Sequence, residues 1–92
     1  MDTSAVVQLI RQNLSSQQLR DIFDKDCSKF FFVPDGHQTQ VIVYPYYAGD
    51  HKYRIVVKSK KKSLETVFLV PKIQFYRYHE TELSGPQQSS ST

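Results

Sequence analysis

The sequence is poor in the residues and runs that build disulfide frameworks and membrane spans. Cys27 is its only cysteine, whereas a small secreted domain usually carries several that pair. No apolar run approaches the roughly 20 residues that a membrane-spanning helix needs, and residues 1–4 lack the basic and apolar stretches of a signal peptide. We therefore expect a soluble intracellular protein, either cytoplasmic or nuclear, that has no membrane partner.

Sequence motifs of catalysis and metal binding are missing as well. The chain has three glycines and no glycine-rich phosphate loop, HEXXH, paired CXXC or GXSXG motif. Its three histidines, His37, His51 and His79, fall in two predicted turns and near the end of a predicted strand. A metal or acid-base site needs such groups to converge in space, and no spacing here indicates it. We expect no catalytic residue, no metal and no cofactor, and hence a protein that is not an enzyme.

Charge is distributed unevenly along the chain. The net charge is only +3, a mild excess that many proteins without nucleic-acid partners share. Residues 1–50 carry four basic and six acidic residues, whereas residues 52–77 carry eight basic residues and a single acid, Glu65. This second stretch therefore has a net charge of +7. Such an asymmetry indicates an anionic partner more strongly than the overall charge does.

Two short amphipathic helices are predicted at the start of the chain. The first, which Thr3 or Ser4 can cap, has an apolar stripe of Val6, Leu9, Ile10 and Leu14. Ser15 and Gln18 have the spacing of a capping box, so a second helix is expected to begin there. Its predicted buried stripe consists of Leu19, Ile22 and Phe23.

From residue 28 the pattern changes to β-branched and aromatic runs separated by turn residues. The predicted strands cover residues 29–33, 38–46, 52–60, 64–70 and 73–79. Neighbouring strands must be antiparallel, because a parallel crossover needs about a dozen residues. Residues 64–70 are apolar on both sides, which predicts either a central strand or a barrel-like wrap.

These elements predict one small α+β domain over residues 1–83. In it, two short N-terminal helices pack on a four- or five-stranded antiparallel β-meander, whose sheet is either open or strongly bent and barrel-like. Residues 84–92 are rich in serine and glutamine and have no large apolar side chain to bury. We predict that they form a disordered tail.

The alternation of side chains predicts that one face of the sheet is basic and carries tyrosines. In the third predicted strand, Tyr53, Ile55 and Val57 share one face, which leaves the other face, with Lys52, Arg54, Val56 and Lys58, for the solvent. Rings beside cations suit a single-stranded nucleic acid, because bases stack on the rings while cations contact phosphates. The predicted phosphate contacts are Lys52, Arg54, Lys58, Lys60, Lys61, Lys62, Lys72 and Arg77, and the predicted stacking rings are Tyr44, Tyr76 and Tyr78.

Each of these features also has a simpler explanation. Tyrosine is an ordinary β-strand residue whose ring packs while its hydroxyl stays wet. Alternating lysine and arginine also protect edge strands from aggregation. The basic run at residues 58–62 is a binding loop, a nuclear import signal or a solvated turn, and the sequence does not choose among them.

Two functions of different classes therefore stay open. The first is a small non-enzymatic module that binds RNA or another single-stranded nucleic acid. The alternative is a protein-interaction module or accessory subunit without a nucleic-acid role. A domain of this size buries only about 60 to 65% of its unfolded surface, so pairing with a second copy would add to its core, and a homodimer is as consistent with the sequence as a monomer.

Overall fold

The computed structural model of the protein describes residues 1–75. In chain order the elements are α1 (Thr3–Asn13), α2 (Ser16–Asp24), β1 (Lys29–Phe32), β2 (Thr39–Tyr46), β3 (Lys52–Ser59) and β4 (Leu64–Pro71). The predicted α+β class, with two short N-terminal helices before an antiparallel meander, is therefore confirmed. Residues 76–92, which include the predicted tail, lie outside the described residues.

Capping side chains begin both helices. Asp2 caps α1, because one of its carboxylate oxygens accepts a hydrogen bond from the Ala5 N–H at 2.9 Å. The predicted caps, Thr3 and Ser4, are wrong, since both already lie within the helix. Aspartate and serine cap equally well. Because Asp2, Thr3 and Ser4 are all capping residue types, the sequence alone does not show which of them precedes the helix.

Within residues 1–75, no helix is both long and apolar enough to cross a membrane.

The predicted capping box at the start of α2 is confirmed. The Ser15 hydroxyl accepts a hydrogen bond from the Gln18 N–H at 3.1 Å, and the Gln18 side-chain oxygen accepts one from the Ser15 N–H at 2.8 Å. Two backbone donors that the helix leaves unpaired are thereby satisfied. This start directs Leu19 and Ile22 into the core, as their spacing predicts.

The sheet is open, with the strands in the order β1-β2-β3-β4 and every neighbouring pair antiparallel. The barrel-like alternative is therefore wrong. β4 was predicted to be a central strand, but it is an edge among the described residues. Apolar residues occur on both faces of β4, but only one face is buried. Val70 joins the core, whereas Val67 and Leu69 are exposed on the opposite face.

The predicted fifth strand, residues 73–79, is wrong over the part that is described. Residues 73–75 are helical, and the Phe75 N–H donates to the Lys72 carbonyl at 2.9 Å. Phe75 is fully buried, and its ring lies edge-on to Tyr53, with centroids 5.0 Å apart. Burial of the Phe75 ring in the core therefore explains why the chain packs back on the core after β4, and no fifth strand is needed over residues 73–75.

The helices cover one face of the sheet, which we name the inner face. Its buried side chains, together with those of the helices, form the core: Val6, Val7, Ile10, Leu14, Leu19, Ile22, Val41, Val43, Tyr53, Ile55, Val70 and Phe75. The Tyr53 hydroxyl donates to the Leu19 carbonyl at 3.0 Å, so β3 and α2 are joined by a buried hydrogen bond. The opposite face, which the helices leave uncovered, is named the outer face.

Candidate nucleic-acid interface

The outer face carries every second side chain of the four strands. From β1 to β4 these are Phe30, Phe32, Gln40, Ile42, Tyr44, Tyr46, Lys52, Arg54, Val56, Lys58, Glu65, Val67, Leu69 and Pro71. The prediction that Lys52, Arg54 and Lys58 share the wet face of β3 is confirmed, because Tyr53 and Ile55 between them are buried in the core. The outer face therefore combines cations, aromatic rings and aliphatic side chains.

Two phenylalanines project from β1 on this face. Phe30 is 59% exposed and Phe32 is 37% exposed, while Phe31 between them packs against the core. The two exposed rings lie edge to face, with centroids 6.1 Å apart. The sequence interpretation considered only tyrosines and missed these rings. Alternation within residues 29–33 was the available signal, because one face of that strand had to remain outside.

Tyr44 and Arg54 lie directly opposite each other on β2 and β3. The central guanidinium carbon of Arg54 is 4.9 Å from the centroid of the Tyr44 ring, which is the geometry of a cation–π contact. Arg54 therefore covers one face of the predicted stacking ring. This contact holds a positive charge in the middle of the outer face.

The cations Lys52 and Lys58 each have a carboxylate neighbour. The Lys52 ammonium lies 3.2 Å from Asp50, and its hydrogen bond lowers the pKa of that carboxyl below the ordinary value. The Lys58 ammonium lies 3.9 Å from Glu65, and both side chains are about half exposed. Solvent screens exposed pairs of this kind, so they contribute little to stability. Either lysine can therefore exchange its carboxylate for another anion at little cost.

The turn between β3 and β4 divides the basic run in two. Lys60 borders a groove on the outer face beside Phe32 and Lys58. Lys61 and Lys62 line a different cleft, which Val57, Leu64 and Thr66 border with their inner-face side chains. The run that looks uniform in sequence therefore supplies cations to two separate surfaces.

The remaining predicted site residues do not join this group. Lys72 follows β4, and its ammonium lies 4.5 Å from the centroid of the Phe23 ring on α2. Because α2 covers the inner face, Lys72 is directed away from Lys52, Arg54 and Lys58 on the outer face. Tyr76, Arg77 and Tyr78 lie outside the described residues.

The turn between β1 and β2 brings His37 to the same groove. The Asp35 carboxylate accepts hydrogen bonds from the Thr39 hydroxyl at 2.8 Å and from the Gln38 and Thr39 N–H groups at 3.0 and 3.2 Å. The Thr39 hydroxyl, followed by these backbone donors, lowers the pKa of Asp35. His37 has a φ of +61°, and its ring centroid lies 4.8 Å from that of Phe32.

An apolar row crosses the whole outer face. It consists of Phe30, Ile42, Val56 and Val67, which lie side by side on the four strands. Val56 is only 4% exposed although it is not part of the core, so its outer-face neighbours bury it. At the edge, Val67 is 52% exposed, and Leu69 is 48% exposed. The centre of the outer face is thus a second, smaller packed layer.

Residues 1–75 contain no group of three or more histidine, cysteine or acidic side chains that could hold a metal ion. Cys27 is half-buried, and its thiol lies 3.5 Å from the Asp21 carbonyl oxygen.

Comparison of the chain with protein-family models, curated proteins and solved structures finds no match. The outer face is therefore interpreted from its own chemistry.

Proposed function

We propose that the protein is a small module that binds single-stranded nucleic acid, RNA above all, on the outer face of its sheet. The observation that carries this proposal is the mixture of exposed rings and cations on one uncovered surface. Phe30 and Phe32 are exposed on β1, while Arg54 and Lys58 lie on β3 of the same face. A purely structural sheet face would not require exposed phenylalanine beside cations.

Each component has a separate task in this proposal. Unpaired bases stack on the exposed rings, which is worth about 1 to 3 kcal/mol per base and depends little on sequence. Lys52, Lys58 and Lys60 contact phosphates, and Arg54 presents its charge from its position over Tyr44. Bases in a duplex already stack on one another, so a flat sheet face with projecting rings favours a single strand.

A fluorescence anisotropy titration with short oligo(U) and oligo(A) RNA and the matching DNA, at several salt concentrations, tests the proposal. We expect binding to weaken steeply with salt, with a log-log slope of about −0.7 for each phosphate contacted. Replacing Lys58 by Gln is expected to reduce that slope and to weaken binding to all sequences alike. Absence of binding to every oligonucleotide at low salt would exclude this function.

A protein interface is the second candidate, and the apolar row favours it. Phe30 and Val67, at the two ends of this row, are both more than half exposed. Along the edge of β4 that faces away from β3, residues 1–75 supply no further strand. A second copy of the chain could cover both features. Light scattering over a range of concentrations would show a dimer in that case, and the dimer would resist salt because an apolar interface is not screened.

A further inference from the structure

We propose that the groove at one corner of the outer face is a subsite for a single nucleotide. Its lining residues are Phe32, His37, Gln38, Gln40, Lys58 and Lys60, and its volume is about 310 Å³. Binding pockets for small ligands range from about 300 to 1,000 Å³, so this groove suits one small ligand rather than several. The inference rests on the proposed function and specifies where one unit of the bound strand lies.

Two turns that are distant in sequence build the groove. The Lys60 N–H donates to the Gln38 carbonyl at 2.8 Å, which joins the β3–β4 turn to the β1–β2 turn. The hydrogen bonds of Asp35 hold the start of β2 in place next to this junction. The lining side chains are therefore presented by paired backbone rather than by a free loop.

The lining supplies the chemistry that a nucleotide requires. Phe32 and His37 offer ring surface for a base. The amides of Gln38 and Gln40 carry both donors and acceptors, as the edges of bases do. The ammonium groups of Lys58 and Lys60 supply positive charge for the phosphate. No acidic side chain is among the residues that line the groove, and although Glu65 lies 3.9 Å from Lys58, Lys60 adds a second cation.

His37 has a left-handed backbone in the β1–β2 turn, as Asp26 and Ser63 have in other turns. Its φ of +61° follows the φ of +75° at Gly36, and left-handed backbone is uncommon for residues other than glycine. A glycine at position 37 would adopt the same backbone more readily, so the ring of His37, which lies 4.8 Å from Phe32, is the feature that needs an explanation.

The first test compares variants of the full chain in the oligo(U) and oligo(A) titrations. His37→Gly removes the ring and suits the backbone, and we expect it to weaken binding about 5- to 140-fold, the equivalent of one stacked base. Lys60→Gln is expected to weaken binding and to reduce the salt slope by about 0.7. Lys61→Gln is the matched control, because it removes the same charge from the same turn but from the other surface.

The second test uses mononucleotides as probes. We titrate AMP, UMP, adenosine and inorganic phosphate into the wild-type chain and follow backbone amide shifts by NMR. The nucleotides are expected to shift the amides of Phe32, His37, Gln38 and Lys60, and phosphate alone is expected to shift chiefly Lys60. His37→Gly should abolish the shifts that the base causes.

The outcomes separate the subsite from the proposed function. One outcome is that the oligonucleotides bind, and that His37→Gly and Lys60→Gln bind them as tightly as the wild type and the Lys61→Gln control do. In that case the subsite is wrong and the outer-face function stands. If no oligonucleotide binds, the function is wrong, and the mononucleotide titration alone decides the subsite. Amide shifts confined to the groove would then support the subsite, and shifts elsewhere or none would overturn it.

Discussion

The inner and outer faces are built by the same four strands, yet they differ in what their side chains do for the fold. On the inner face, residues such as Val43 and Ile55 are fully buried beneath the helices. Among the described residues of the outer face, only Val56 is buried, and Phe30, two strands away in the same row, remains largely exposed. Burial beneath the helices accounts for most of the inner face, whereas the exposed rings and cations of the outer face are the basis of the proposed binding.

The comparison predicts that the largest loss of stability comes from the inner face. Ile55→Ala removes a fully buried side chain and leaves a cavity, so we expect the free energy of unfolding to fall by about 2 to 5 kcal/mol. Urea denaturation followed by circular dichroism measures this change. Phe30→Ala on the outer face is the control, with an expected change within about 0.5 kcal/mol. Similar losses in both variants would remove the distinction between the faces.

The second prediction reverses this order for binding. Phe30→Ala should weaken binding of oligo(U) by about 1 to 3 kcal/mol, because the exposed ring stacks on a base. The salt slope should stay almost unchanged, since the ring carries no charge. Anisotropy titrations measure both quantities. If the variant binds as the wild type does while Lys58→Gln weakens binding, the interface is electrostatic and the rings have another role.

A smaller effect is expected at the link between the sheet and α2. Tyr53→Phe keeps the ring in the core but removes the donor to the Leu19 carbonyl, which should cost about 0.5 to 1.5 kcal/mol. A fall in melting temperature of about 4 to 8 °C for each kcal/mol would report it. Binding to the outer face should not change, because the hydroxyl points to the opposite side of the sheet. A change in affinity without a change in stability would contradict this.

The smallest effect concerns pH and the turn beside the groove. The pKa of Asp35 is lowered, chiefly by the Thr39 hydroxyl and then by backbone donors. The folded state therefore binds this proton less tightly than the unfolded state, whose carboxyl has a pKa of about 3.9. Its contribution to stability is present above that value and is lost as the pH falls through the folded pKa. Asp35→Asn should flatten the pH dependence of unfolding below about pH 4, as measured by urea denaturation over a series of pH values.

Prediction from the sequence succeeded where a local pattern suffices and failed where packing between distant residues decides. The capping box of Ser15 and Gln18 and the alternation around Tyr53 depend only on spacing. Residues 73–75 have an alternation that also fits a strand, but the buried place of Phe75 against Tyr53 depends on the assembled core. Three residues of alternation are compatible with either structure.

The candidate interface was predicted in the same uneven way. Alternation along β3 correctly predicted that Arg54 and Lys58 lie on the outer face. Lys72 was grouped with them but lies elsewhere, because its side chain turns toward Phe23 beyond the end of β4. Phe30 and Phe32 could have been found by the same rule that was applied to β3. The groove could not, since Gln38 and Lys60 meet only through the pairing of β2 with β3.

The sequence by itself determined the two helices, the antiparallel meander and the separation of apolar from basic side chains along β3, because these depend on periods of a few residues. Within residues 1–75, the tertiary structure alone decided that the sheet stays open, that β4 is an edge, and that the lysine run divides between two surfaces. It also brought His37, Phe32 and Lys60 together. These features arise from contacts between residues far apart in the chain, and local periodicity does not encode such contacts.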